Sequence, residues 1–199
     1  RWAFLEGGVA WGANFLGDAL GHYEKRNGDA IQHYNPANLD RDRLRELIES
    51  HGGGDVRSRA GDLDYALQML SDPGEDEATV DEWAESGIRS ADDIIGLFRD
   101  RFYFGCEADD PMNALAYQRH LVPGGVQLRA IFASDIGHWD VPDFTDVLPE
   151  AYELIEKELL DADDFRAFVF DDPVRLFSAG NPDFFAGTVV ADEAAAVTP

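Results

Sequence analysis

The sequence predicts an α/β fold built on a parallel sheet or barrel, and two observations support this. Three short apolar runs, WAFLE, FYFGCE and VQLRAIFASD, are each succeeded by a stretch of helical periodicity, the alternation that builds parallel sheets. Each run also stops at acid: Glu6 after the first, Glu107 after the second, Asp135 after the third. The C-terminal ends of parallel strands converge on one face, where barrel enzymes keep their chemistry.

Taken in order, WAFLEGG reads as a short buried strand ended by a glycine pair. The following WGANFLGDALGHYEKRN places Trp11, Phe15, Leu16, Leu20 and Tyr23 on one helical face. NLDRDRLRELIES predicts a second helix capped by Asp40, with Leu44, Leu47 and Ile48 on one stripe. Residues 52–78 are rich in Gly, Asp and Arg and read as an irregular insertion. SADDIIGLFRDR resumes helical spacing with Ser90 as N-cap, ahead of the aromatic strand FYFGCE. A helix follows at PMNALAYQRHL, with Pro111 in its first turn and Asp110 a natural cap. After the third strand, DFTDVLPEAYELIEKELL sets Leu148, Tyr152, Ile155 and Leu159 on one side of a helix. A last helical stretch, DADDFRAFVFDDPVRLF, leads to the aromatic turn NPDFF and to an Ala-rich tail, 191–199, expected to be disordered. The abrupt opening at Arg1 in an apolar segment suggests that an upstream part of a longer polypeptide is missing.

Composition narrows the function classes. With 45% hydrophobic and 12% aromatic residues the chain can bury a core. The net charge of −24 argues against nucleic acid or an anionic membrane as partner. Cys106 is the single cysteine, which excludes an internal disulfide framework and fits a reducing, cytoplasmic setting. The scarcity of lysine, only Lys25 and Lys157, together with the acid excess would suit a salt-rich cytosol, and a GC-rich genome would give a similar bias. No GxSxG elbow accompanies HGGG at His51, and the glycine run lacks the Gly-Lys-Ser/Thr of a P-loop.

Asp135 is the leading candidate for catalysis, because an acid at a strand end within three residues of His138 and Trp139 could work beside an imidazole and an indole. Its alternative is a turn or cap residue. Glu6 is costly at the mouth of a strand unless charge or hydrogen bonds meet it, and an arginine such as Arg26 or Arg129 would serve as a structural partner. Glu107, nearest the strand, is the better candidate of EADD. GHYEKRN, with His22 and Arg26, reads by itself as a solvated face, and His33, His51 and His120 have no carboxylate constellation nearby.

In order and spacing, FLEGGVAW, GHYEKRN, FYFGCEADDP, SDIGHWDVPD and DDPVRLF resemble the C-terminal half of the metal-dependent amidohydrolases related to aminocarboxymuconate semialdehyde decarboxylase. The resemblance spans about Trp2 to Val190. It implies a TIM (β/α)8 barrel, of which residues 1–190 would be the C-terminal half, with a divalent metal at the strand mouths. Zinc is the usual ion. Asp135 matches the aspartate that binds the metal or its water and moves protons; Glu6 stands where many members have a metal-binding histidine, which would shift preference toward manganese or magnesium. His138 would assist catalysis, and His22, Arg26, Glu107 and Trp139 would bind substrate. The early His-x-His motif of that family is absent, so an upstream half or a second copy of the chain would complete the barrel, with a homodimer common in the family. The function implied is hydrolysis of a small carbonyl or carboxylate substrate by metal-activated water. A nonoxidative decarboxylase on the same scaffold and a non-catalytic half-barrel binding module are the alternatives.

Overall fold

A computed structural model describes residues 1–35, 38–70, 81–105 and 107–197. The chain divides into two compact units, one formed by residues 1–21 and 90–199 and the other by residues 22–89.

The first unit holds the sheet. Its strands are β1 (Trp2–Phe4), β2 (Phe102–Gly105) and β3 (Ala130–Ile131), all parallel, in the order β1-β2-β3. Trp2 pairs with Phe102 and Phe4 with Phe104, while Phe104 and Gly105 also pair with Ala130 and Ile131. β2 is therefore central and its Tyr103, Phe104 and Gly105 are buried, whereas β1 is an edge strand with exposed Trp2. The apolar run WAFLE is thus not the buried strand its composition suggests.

Helix α1 (Gly8–Arg26) crosses one face of the sheet through Val9, Gly12, Ala13 and Leu16, all buried. Trp11 and Phe15, expected on the buried face, instead flank it, with ring centroids 5.2 and 6.5 Å from Phe4. On the same side the helix at Ala91–Asp100 inserts Ile94 and Phe98, and Phe98 meets Phe102 edge to face at 4.9 Å. That helix starts at a capping box: Ser90 Oγ accepts from Asp93 N, and the Asp93 carboxylate accepts from Ser90 N.

Towards the C-terminus, Val147–Glu156 is a helix that buries Val147, Ala151 and Leu154. Leu148 and Tyr152, on the stripe predicted to be buried, are exposed. A continuous helical path runs from Ala162 to Gly180, opening up over Ala167–Asp171 to wider π spacing. It carries Phe168 and Val174 into the core. Residues Ala191–Val197, expected to be disordered, are helical and bury Ala194; only 198 and 199 lie outside the described residues.

The second unit is helical among its described residues. Arg41–His51 is capped by Asp40, whose side chain accepts from Arg43 N at 2.8 Å. The stretch predicted as an irregular insertion, 52–78, contains helical turns at Gly54–Ser58 and Leu63–Leu70; its residues 71–78 lie outside the described residues.

The expected half of a TIM barrel is not what forms. Among the described residues, three strands of four residues or fewer lie within mainly helical surroundings, an α/β mix rather than half of an eight-stranded barrel. The third run shows why: of VQLRAIFASD only Ala130 and Ile131 pair. The next backbone N–H, that of Phe132, donates to Phe168 O rather than to a strand, and the chain then turns at Asp135 and Gly137, both at positive φ.

Candidate functional site

The parallel order sends the C-terminal ends of the strands to one side of the sheet, and the acids that follow gather there. Glu6 and Asp135 are held at φ 64° and 49°, the left-handed region that L-residues with a Cβ enter at a cost of about 1 kcal/mol or more. Sharp reversals at both strand ends are thus bought with backbone strain. Glu107 is positioned differently. Its carbonyl accepts from Asn113 Nδ2 at 2.9 Å, and Asn113 is fully buried in the 3₁₀ turn Pro111–Tyr117. Asp110 caps that turn through Met112 N at 2.9 Å, the structural role its place before proline suggests.

Asp135 Oδ2 lies 3.4 Å from His138 Nδ1, and the backbone closes the turn by a 2.9 Å bond from His138 N to Asp135 O. Glu107 and Asp135 line a cleft of about 620 Å³ that continues along Asp140, Asp143, Asp146 and the acidic face of the Val147–Glu156 helix. Eight of its lining residues are Asp or Glu and none is basic.

This crowding separates the carboxyl groups electrostatically. Partial desolvation, and then the like charges of Asp135, Glu6, Asp109 and Asp140, push the Glu107 carboxyl above its ordinary value. Asp143 moves the other way, because Thr145 donates to it through its hydroxyl and its backbone N–H at 2.6 and 2.9 Å. Two carboxyl groups displaced in opposite directions share one cleft, a pattern that can divide acid and base roles.

The residues named from sequence are distributed unevenly. Glu107 and Asp135 line the cleft, and Glu6 is near enough to act on Glu107. Among the described residues no arginine lies within ion-pair distance of Glu6. His138 is exposed and reaches the cleft only through Asp135, and Trp139, 93% exposed, is not part of its wall. His22 and Arg26 belong to the second unit, where both engage the carboxylate of Glu82. Sequence reasoning missed Asn113 and the run Asp140–Glu156; the alternation of acid and apolar residues in DVPDFTDVLPE was its visible signal.

The expected metal would find mainly carboxylate oxygens at the strand ends, with His138 Nδ1 beside Asp135, a donor set that suits manganese or magnesium better than zinc. Among the described residues no three His, Cys, Asp or Glu side chains converge to hold an ion. Among the described residues the side chains as placed do not fit a metal centre. Among those residues no helix is long and apolar enough to cross a membrane. No protein-family model, curated protein or solved structure matches the chain.

Proposed function

We propose that the protein is a hydrolase of small carbonyl compounds, neutral or cationic, working in the strand-end cleft. The observation that supports this reading is the meeting of Glu107, with its raised carboxyl pKa, and the His138-braced Asp135 in one cleft of about 620 Å³. Asp135 accepts a proton from the attacking water, and Glu107 delivers one to the leaving group. The acidic wall opposes an anionic substrate, so the carboxylate compounds implied by sequence resemblance give way to amides or esters that are uncharged or carry an amine.

The test is turnover of chromogenic amides and esters that differ only in charge, in chelator and then with manganese, magnesium or zinc restored. The expected result is preference for the cationic series, with Glu107→Gln and Asp135→Asn each lowering kcat/KM about a hundredfold or more at unchanged circular dichroism. Turnover that both variants retain would refute the assignment. Activity seen only with added metal would replace acid–base catalysis by metal-activated water. Carbon dioxide release would favour the decarboxylase, and saturable binding without turnover the binding module.

A further inference from the structure

The opposite end of the same sheet is basic. Arg1, Arg101 and Arg129 immediately precede β1, β2 and β3, and beside β3 lies a second cavity, of about 500 Å³. Arg99, Arg119, Arg129 and Arg175 line it, and no acid does. Four of the chain's few cations, in a molecule of net charge −24, thus meet in one cavity.

The partners of these arginines leave positive charge over. Arg129 Nη1 and Arg175 Nη1 both donate to a single oxygen of Asp172, at 2.8 and 2.9 Å, and Asp172 is 2% exposed. One carboxylate therefore answers two guanidinium groups. Arg175 also faces Asp171 at 3.9 Å, but Arg166 shares that carboxylate at 3.2 Å. Arg129 Nε is fixed on the Arg99 carbonyl at 2.7 Å, so its plane is set before any ligand arrives. Arg99 pairs with Asp100 at the exposed rim. Arg119 donates to Gln127 Oε1 at 2.7 Å and has no carboxylate within ion-pair distance among the described residues, Asp164 acting on it only from farther off.

The cavity wall between these side chains is the turn Gly124–Gly125, both at positive φ, where a side chain on Gly125 would project into open space. A ligand can approach the backbone closely there. Four guanidinium groups arriving from separate segments suit an anion with acceptors on several sides, more than the planar carboxylate already satisfied by Asp172.

We propose that this cavity binds the phosphate group of a small molecule. Polyanions are disfavoured, since the field of the whole chain repels an extended negative ligand while the cavity accepts a compact one.

Calorimetric titration with inorganic phosphate and pyrophosphate, at ionic strength matched with chloride, tests it on the whole chain. Saturable binding is expected, weakening as salt rises, with amide resonances of Gly124, Gly125 and Val126 moving on titration. Arg119 and Arg99 are exposed, so Arg119→Gln and the double variant Arg99→Gln/Arg119→Gln should fold, and should weaken pyrophosphate about tenfold or more. Absence of saturable binding at millimolar pyrophosphate would overturn the proposal, as would undiminished binding by the folded double variant.

Discussion

Replacing Gly12 by alanine probes the packing that holds α1 against the sheet. An added Cβ would stand 2.6 Å from Phe104 Cδ1 and Cε1 and 2.9 Å from Cγ, well inside contact distance. Phe104 is fully buried, and the rings of Phe4, Phe98 and Trp11 lie 5.6, 6.1 and 6.2 Å from its own. It has nowhere to retreat, so the helix must move. Forcing a methyl into a filled core costs about 1–3 kcal/mol, against a gain of about 1 kcal/mol for Gly→Ala within a helix. The net expectation for Gly12→Ala is a loss of about 0–2 kcal/mol, at the upper end roughly 4–8 °C in Tm for a chain of this size. Gly21, in the same helix, has no atom within 4 Å of an added Cβ, so Gly21→Ala should show the propensity gain alone, about 0.5–1 kcal/mol. Urea unfolding followed by circular dichroism at fixed salt measures both. A Gly12→Ala variant as stable as Gly21→Ala would refute the packing argument.

Four further outcomes follow from side-chain environments. Glu82 is held below its ordinary value of 4.5 by hydrogen bonds from His22 and Arg26, so its contribution to stability is present above that pH and lost as pH falls; Glu82→Gln should flatten the acid limb of a stability–pH curve. Asp172→Ala strips two guanidinium groups of their shared acceptor; both arginine side chains keep some contact with solvent, so the loss should lie at or below the about 3–5 kcal/mol that follows removal of one partner of a buried pair, measured by denaturant midpoint. For Glu107 as proton donor, activity should fall as pH rises through its raised carboxyl value, and Glu107→Gln should remove that alkaline limb. With a net charge of −24, Tm should climb with salt as self-repulsion is screened; indifference to molar salt would count against the salt-rich habitat.

The first two strand starts and the caps were legible in the sequence because they depend on neighbours along the chain. Asp40, Ser90 and Asp110 cap as their positions indicate, and Glu6, Glu107 and Asp135 follow the strands as predicted. Periodicity was less decisive where two stripes overlap. Trp11 and Phe15 outweigh Gly12 and Ala13 in hydrophobicity, yet the close approach to Phe104 selects the small pair, and in Val147–Glu156 the buried stripe is Val147, Ala151 and Leu154, while Leu148 and Tyr152 stay exposed.

By itself, then, the sequence determined where the capped helices begin, the chain's acidity, and the acid that follows each strand, since these are local or compositional properties. Tertiary structure alone decided the extent of the sheet, which ends after three short strands where a barrel was expected. It also decided that Arg99, Arg119, Arg129 and Arg175, scattered over 77 positions of the chain, share one cavity. Parallel strands carry the residues just before them to one end and those just after to the other, and the returning segments bring Arg119 and Arg175 to the first, so two opposite electrostatic faces arise from residues that no local pattern relates.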